Sequence, residues 1–248
     1  MYHFADRAEA GRMLGEALSH YAGRSDALVL ALPRGGVPVA YEIARELAVP
    51  LDVWLVRKLG VPSQEELAMG AVAGADTLVL NQQIIKLLNI DEASIDAAVA
   101  RERAELERRN KLYRRGMPAP DIQGKTIILV DDGLATGATM RAAIVSLREA
   151  GAAKIVVAVP VGTTLACKKI RQEADELMCL YTPEPFFGVG QWYDNFMQIP
   201  DEEVLALLGR ETIHGRTTAG SKGGDLREDL REDLRESEEL QDPGLPEG

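Results

Sequence analysis

Cysteine and histidine are scarce in this sequence of 248 residues, which holds two cysteines and three histidines. Cys167 and Cys179 form no CxxC pair, and no Cys/His cluster accompanies them. Structural and catalytic zinc sites are built from such clusters, so a zinc protein is a poor fit. Spacing alone leaves a disulfide open. Isolated thiols in a chain of this kind are usually free and buried, and we expect that state for both cysteines.

Long apolar runs and an excess of basic residues are also missing. No apolar run reaches the roughly 18 residues that a membrane-spanning helix needs. The N-terminal residues MYHFADRAEAGRM are polar and charged, where a signal peptide would have an apolar core. The formal net charge is −11, whereas proteins that bind nucleic acid present a basic face. We therefore expect a cytoplasmic protein that binds neither a membrane nor nucleic acid.

The remaining composition is that of a globular domain with an unusual end. Apolar residues make up 46% of the chain and charged residues 27%, which are ordinary values. Residues 211–248, however, hold 5 basic against 11 acidic residues, and DLRE occurs three times without interruption at 225–236. The sequence predicts one domain over residues 1–210 and an acidic, disordered tail over 211–248. The leucine stripe of the repeats is typical of a nascent helix, and a partner-binding motif is the alternative.

Short apolar runs alternate with amphipathic segments along the domain. The runs predict strands at residues 27–32, 51–57, 127–130, 155–161 and 177–181. The amphipathic segments predict helices at residues 5–21 (with Asp6 as N-cap), 37–48, 91–115, 138–150, 164–174 and 201–209. This alternation predicts an α/β fold: a twisted, mostly parallel sheet of about five strands with helices on both faces. Residues 71–73 and 77–80 predict a small hairpin, or hood, region.

An acidic pair and a small loop follow the strand at 127–130, in the segment TIILVDDGLATGAT. Ligands of such sheets bind beyond the carboxyl ends of the strands, which is where this segment lies. Backbone N–H groups of the loop and the following helix start can hold a phosphate. The two adjacent carboxylates, Asp131 and Asp132, suit a ribose cis-diol or a hydrated Mg²⁺. A turn that merely caps the helix is the structural alternative.

Two other strand ends carry cations beside glycines. Pro33-Arg34-Gly35-Gly36 follows the first strand, and its adjacent glycines expose backbone N–H groups beside an arginine that can donate two hydrogen bonds to an anion. Arg57 and Lys58 end the second strand. An ordinary turn and a solvated pair of cations are the alternatives.

Residues 183–196, PEPFFGVGQWYDNF, concentrate five aromatic residues after the last strand. Such a segment either stacks on a flat ring of a ligand or packs as an apolar lid on the sheet.

The segment VDDGLATGAT resembles the signature by which type I phosphoribosyltransferases bind 5-phosphoribosyl-1-pyrophosphate (PRPP). The resemblance extends over roughly residues 25–200, and Gly133 departs from it because the family usually has an aliphatic residue there. It implies that Asp131 and Asp132 hold the ribose hydroxyls and, mainly through PRPP and water, Mg²⁺. It also implies that the 5′-phosphate is bound by Ala135, Thr136, Gly137, Ala138 and Thr139.

The same resemblance implies roles for the other loops. The pyrophosphate would be bound by Arg34, Gly35, Gly36, Arg57 and Lys58, with a non-proline cis peptide in the first of these loops. A mobile loop over Leu59–Gly70 would close on the reacting centre. The acceptor would contact Phe187, Val189, Trp192 and Asp194. Ala135 stands where enzymes for 6-oxopurines have an aspartate, which disfavours that class of acceptor.

The resemblance therefore implies a Mg²⁺-dependent transfer of the phosphoribosyl group of PRPP to a small, nucleobase-like acceptor, with release of pyrophosphate. Its catalytic residues would be Arg57, Lys58, Asp131 and Asp132. Two alternatives stay open: a PRPP-binding or nucleotide-binding regulator without catalysis, and a hydrolase or phosphorylase of phosphoribosyl compounds. A homodimer is compatible with the sequence.

Overall fold

The structure is a computed structural model that describes residues 3–62, 64–73 and 77–209, with the backbone alone at 65 and 66. The predicted acidic tail lies outside the described residues, as does the turn at 74–76. The division into residues 1–210 and 211–248 stays a prediction. Within the described part of the chain, no helix combines the length and the apolar character that a membrane crossing needs.

The described residues form eight strands and seven α-helices. The strands are β1 (Ala27–Ala31), β2 (Leu51–Val53), β3 (Val56–Val61), β4 (Gln64–Ala73), β5 (Thr77–Leu80), β6 (Thr126–Val130), β7 (Lys154–Val161) and β8 (Glu176–Tyr181). The helices are α1 (Arg7–Ala17), α2 (Gly36–Leu47), α3 (Gln82–Leu87), α4 (Glu92–Arg114), α5 (Ala138–Glu149), α6 (Thr164–Glu173) and α7 (Asp201–Leu207).

Five strands form the main sheet in the order β2-β1-β6-β7-β8, and every pair in it is parallel. Every residue of β1 and β6 is buried. Alternate residues of the strands point to opposite faces. Val29 and Ile128 pack with residues of α1 and α2, whereas Leu30 and Ile127 pack with residues of α5 and α6. Helices therefore cover both faces, and the predicted fold class is confirmed.

A second, antiparallel sheet of order β3-β4-β5 corrects two predictions. The strand predicted at 51–57 is wrong in its second half, because β2 ends at Val53 and β3 starts a different sheet at Val56. Trp54 anchors the change of direction: its backbone N–H donates to the Ala31 carbonyl and its indole N–H donates to Ser146 Oγ at 2.8 Å.

Most of the predicted loop Leu59–Gly70 is paired strand, because residues 59–61 belong to β3 and residues 64–70 to β4. Leu59 and Met69 are fully buried, and Leu59 lies opposite Gly70 in the antiparallel register. Burial of these apolar side chains outweighs the local Gly and Pro signal. Closure of the segment on the reacting centre stays a prediction. The predicted hairpin over 71–73 and 77–80 is confirmed as the pairing of β4 with β5.

Most predicted helices are confirmed within a few residues. The Asp6 side chain accepts a hydrogen bond from the Glu9 backbone N–H at 2.8 Å, so Asp6 caps α1 as predicted. Helix α1 ends at Ala17, earlier than predicted, and a 3₁₀ turn over Ser19–Tyr21 follows. The short helix α3 has no counterpart in the prediction.

A buried ion pair connects the long helix α4 to the edge strand of the main sheet. The Arg114 guanidinium of α4 pairs with Asp52 of β2 at 2.9 Å, and both side chains are almost completely buried.

Both cysteines are free thiols, as predicted. Cys167 is buried and Cys179 only partly so, with the two Sγ atoms 3.5 Å apart.

Candidate functional site

The acidic pair lies at the carboxyl end of β6, in the middle of the main sheet. The Asp131 carboxylate accepts a hydrogen bond from the Asp132 backbone N–H at 2.9 Å. Burial and the neighbouring Asp132 carboxylate raise the pKa of Asp131 well above its ordinary value. Burial also raises the pKa of Asp132, although the Arg7 guanidinium acts in the opposite direction. Two carboxylates are thus held side by side in a partly buried site.

In each carboxylate, one oxygen accepts hydrogen bonds from the described residues and the other accepts none. Asp131 Oδ1 receives the backbone N–H of Asp132. Asp132 Oδ2 receives Nε and Nη2 of Arg7 at 3.0 and 2.9 Å. Among the described residues, no hydrogen bond reaches Asp131 Oδ2 or Asp132 Oδ1. Two acceptors, one from each acid, are therefore available to a ligand that brings two hydroxyl groups.

The small loop after the acidic pair leads directly into α5. Gly137 occupies the N-cap of this helix with φ +75°. Ala135 and Thr136 are exposed, and the Thr136 hydroxyl accepts from the Ala138 backbone N–H at 3.4 Å. The Ala135 carbonyl accepts from the Thr163 hydroxyl at 2.9 Å, which fixes the loop to the start of α6. Exposed N–H groups at a helix start, flanked by hydroxyls, form an anion site.

The Pro33–Gly36 loop packs directly against the acidic pair. Its Pro33–Arg34 peptide bond is cis, which is the feature that the family resemblance implies for this loop. A β-carbon added to Gly35 would lie 2.7 Å from Asp132 Cγ and closer still to Oδ2. Gly36 begins α2, and Arg34 lies 4.0 Å from Asp201 of α7 with about a third of its side chain exposed. Only a residue without a side chain fits between the loop and Asp132.

The two predicted cations of β3 differ in their surroundings. Arg57 donates Nε and Nη2 to Glu102 of α4 at 2.9 and 2.8 Å. Arg57 also lines a small cleft with Pro33, Thr139 and Arg109. Adjacent residues of a strand point to opposite faces, so the side chain of Lys58 leaves the other face of β3. No local signal predicts that Arg109 lies here, because an arginine on a long charged helix is usually solvated.

The four predicted acceptor residues fall into different environments. Phe187 is 87% exposed, whereas Trp192 is 3% exposed. The Trp192 ring packs against Phe186, with ring centroids 6.3 Å apart. Asp194 lies 3.6 Å from the His3 imidazole at the surface. Of the two aromatic residues, only Phe187 presents an open ring face to a ligand. The acceptor roles stay predictions.

Gly133, the departure from the family signature, has a structural reason. A β-carbon at Gly133 would lie 2.6 Å and 2.8 Å from the two methyl carbons of Val189 and 3.2 Å from the Val161 carbonyl. Val189 belongs to the predicted acceptor segment, so this segment occupies the space that an aliphatic residue would fill at position 133.

Replacing Gly133 by alanine should therefore lower the free energy of unfolding by about 1–3 kcal/mol, the usual cost of overpacking. Adding Val189→Ala should recover most of that loss, because the second change removes the two methyl groups that the new β-carbon meets. Urea unfolding of the two single variants and the double variant measures the coupling. Losses that simply add would contradict the contact.

Two residues near the acidic pair were not found from the sequence. Arg7 lies at the first position of α1 and binds Asp132 across 125 positions of the chain. The Tyr193 hydroxyl donates to the backbone carbonyl of Asp132 at 2.7 Å, and burial raises the pKa of Tyr193. An arginine in an amphipathic helix and a tyrosine in an aromatic segment carry no local signal of such contacts.

A Mg²⁺ ion fits this site only with most of its ligands supplied from elsewhere. No group of three or more metal-binding side chains occurs among the described residues. The two uncommitted oxygens, Asp131 Oδ2 and Asp132 Oδ1, are hard ligands of the kind that Mg²⁺ takes. This ion commonly keeps several waters and completes its shell with substrate phosphates. The residues present are compatible with that arrangement.

Comparisons with a family model and with curated proteins indicate the same family. The sequence model of the phosphoribosyl transferase domain matches residues 5–190. The protein named "Putative phosphoribosyl transferase Rv0571c" of Mycobacterium tuberculosis is 47% identical over 207 residues, which are 84% of this chain and 46% of that protein. The chain thus spans about half the length of the curated relatives that it matches.

A solved structure and a more distant relative add detail. The crystal structure of TT1426 from Thermus thermophilus is similar with a TM-score of 0.77 and 42% identity, over 84% of this chain and 98% of that one. The bifunctional protein PyrR of Corynebacterium glutamicum is 31% identical over 114 residues, which are 46% of this chain and 56% of that protein.

Proposed function

We propose, because the chain belongs to the phosphoribosyl transferase domain family, that its site binds PRPP and transfers the 5-phosphoribosyl group to a small acceptor with release of pyrophosphate. The observation that supports this most strongly is the joint position of the acidic pair and the anion loop. Two uncommitted carboxylate oxygens stand at the end of β6, and the N-terminus of α5 follows within one short loop. A ribose 5-phosphate carries both a diol and a phosphate on one small molecule.

Three groups of residues would each bind one part of the substrate. Asp131 and Asp132 would accept hydrogen bonds from the ribose hydroxyls. The loop Ala135–Thr139 would bind the 5′-phosphate through backbone N–H groups and threonine hydroxyls. The cleft lined by Pro33, Arg57 and Arg109, together with the adjacent Arg34, would bind the pyrophosphate.

In the proposed reaction the bond from the anomeric carbon to the pyrophosphate oxygen breaks, and its electron pair leaves with the pyrophosphate. An acceptor nitrogen forms the new bond and gives up a proton to water or to the leaving pyrophosphate. The arginines stabilise charge that grows on the leaving group, and the two carboxylates favour the ribose ring as it becomes cationic. Mg²⁺, when bound with the pyrophosphate, would offset part of the same negative charge.

A pyrophosphate-release assay with PRPP, Mg²⁺ and a panel of nucleobases tests the proposal. Release that requires one of the bases supports a transferase. Release without any acceptor indicates a hydrolase, and tight PRPP binding without release indicates a regulator. Phe187, the exposed ring of the acceptor segment, gives the panel a structural basis because flat heterocycles stack on such rings.

Replacing both Asp131 and Asp132 by asparagine should weaken the binding of Mg²⁺–PRPP at least about tenfold, or about 1.4 kcal/mol. The amide keeps the shape of the carboxylate but removes the charge and half of the acceptor capacity. Isothermal titration calorimetry measures the affinity. Asp121→Asn is a matched control, because Asp121 is exposed and precedes the amino end of β6, whereas the acidic pair follows its carboxyl end. Unchanged affinity in the double variant would contradict the assignment of the acidic pair.

A further inference from the structure

Arg7 is a charged residue buried at a position where a cation is unfavourable for the helix. It is the first residue of α1, and only 7% of its surface is exposed. The first turn of a helix carries partial positive charge, which favours acids rather than arginine there. A buried ion pair is also weak evidence for a gain in stability. The location of Arg7 therefore calls for a reason other than stabilising α1.

All of the described contacts of the Arg7 guanidinium lie at the candidate site. Nε and Nη2 donate to Asp132 Oδ2 at 3.0 and 2.9 Å, and Nη1 donates to the Met197 carbonyl at 2.9 Å. The guanidinium carbon lies 3.9 Å from the centre of the Phe196 ring. Arg7 is thus held by a carboxylate, a carbonyl and an aromatic face, in a geometry that a planar fork can satisfy and an ammonium group cannot.

These contacts leave the Asp132 carboxylate little freedom. Arg7 holds Oδ2, and Gly35 packs against the same carboxylate, nearest to Oδ2. The backbone carbonyl of Asp132 is held in addition by the Tyr193 hydroxyl at 2.7 Å. The carboxylate is therefore fixed in one orientation, with Oδ1 as the oxygen without a hydrogen bond from any described residue.

We propose that Arg7 is a positioning residue of the ribose site: it occupies Oδ2 of Asp132 so that Oδ1 is presented to the 2-hydroxyl of the sugar. This inference rests on the proposed function. It assigns unequal roles to the two acids: an arginine of α1 orients Asp132, whereas Asp131 receives its hydrogen bond among the described residues from the adjacent backbone N–H. It also ties the N-terminal helix to the aromatic segment that contains Phe196.

The test compares two sugar phosphates that differ by one hydroxyl, ribose 5-phosphate and 2-deoxyribose 5-phosphate. Calorimetry on the full chain gives the affinity ratio of the two ligands for wild type, Arg7→Gln and Arg7→Lys. In Arg7→Gln we expect ribose 5-phosphate to bind about tenfold more weakly and the deoxy sugar less than threefold more weakly. Arg7→Lys keeps the charge and should recover part of the discrimination. It also serves if the glutamine variant does not fold.

Arg12→Gln is the matched control, because Arg12 lies on the same helix and pairs only loosely with Glu42 at 3.9 Å. It should leave both affinities unchanged. Equal losses for the two sugars in Arg7→Gln, or no loss for either, would overturn the positioning role while leaving the proposed function intact. A wild-type protein that binds neither PRPP nor ribose 5-phosphate would overturn the proposed function and this inference with it.

Discussion

Alanine at position 35 should abolish tight binding of Mg²⁺–PRPP while leaving the fold in place. We expect at least about a hundredfold loss of affinity, or about 2.7 kcal/mol. The added β-carbon would lie 2.7 Å from Asp132 Cγ, so the carboxylate must move. It cannot rotate away without breaking the two bonds that Oδ2 receives from Arg7. The backbone of Gly35, at φ −60° and ψ −33°, accommodates alanine without strain, so the damage is confined to the acid.

Gly188→Ala is the control for this experiment. Gly188 has an extended backbone, and a β-carbon there would meet no other atom within 4 Å. Its affinity for PRPP and its melting temperature should match those of wild type. Calorimetry with Mg²⁺–PRPP, together with thermal unfolding by circular dichroism, measures both quantities. Affinity within threefold of wild type in Gly35→Ala would show that the Pro33–Gly36 loop does not set the position of Asp132.

Replacing Arg57 by alanine should raise the activation free energy of turnover by about 2–4 kcal/mol, which is the usual cost of losing one preorganised hydrogen-bond donor. Arg57 lines the cleft beside Pro33 and Thr139, where the leaving pyrophosphate is proposed to bind. The pyrophosphate gains charge as its bond breaks, so the cation contributes mostly in the transition state. Ribose 5-phosphate lacks the pyrophosphate, and its affinity should be nearly unchanged.

The neighbouring Lys58 provides the comparison for Arg57. Its side chain leaves the opposite face of β3, so Lys58→Ala should be the milder of the two changes. Thermal unfolding is needed alongside, because Glu102 loses one of its arginine partners in Arg57→Ala and keeps Arg101 at 3.0 Å. A parallel loss for ribose 5-phosphate would mean that Arg57 supports the fold or the 5′-phosphate site instead.

The contacts around Asp132 connect parts of the site that the sequence presents as separate motifs. Arg7 and Tyr193 bind this residue from α1 and from the aromatic segment, and the Pro33–Gly36 loop packs on it through Gly35. Val189 of the same aromatic segment fills the space next to Gly133. The proposed acceptor region and the proposed ribose site are therefore in direct contact.

The sequence alone determined the features that depend on neighbouring residues. Alternating apolar runs and amphipathic segments predicted the parallel sheet with helices on both faces, because strand and helix periods are local properties of the chain. The same holds for Asp131, Asp132 and the loop before α5, which are contiguous and reach the carboxyl end of a sheet strand whatever the rest of the fold does. The Asp6 cap of α1 and the free state of the cysteines were predicted for similar reasons.

Only the tertiary structure decided which distant side chains meet. The Arg7–Asp132 pair spans 125 positions, and nothing in an amphipathic helix distinguishes that arginine from a solvated one. Packing also buried Trp192 while exposing Phe187, and it turned the Gly- and Pro-containing segment after Lys58 into paired strands. Local signals report backbone preference, whereas these outcomes depend on which apolar surfaces and charges the fold brings together. That is a property of the whole chain rather than of any one segment.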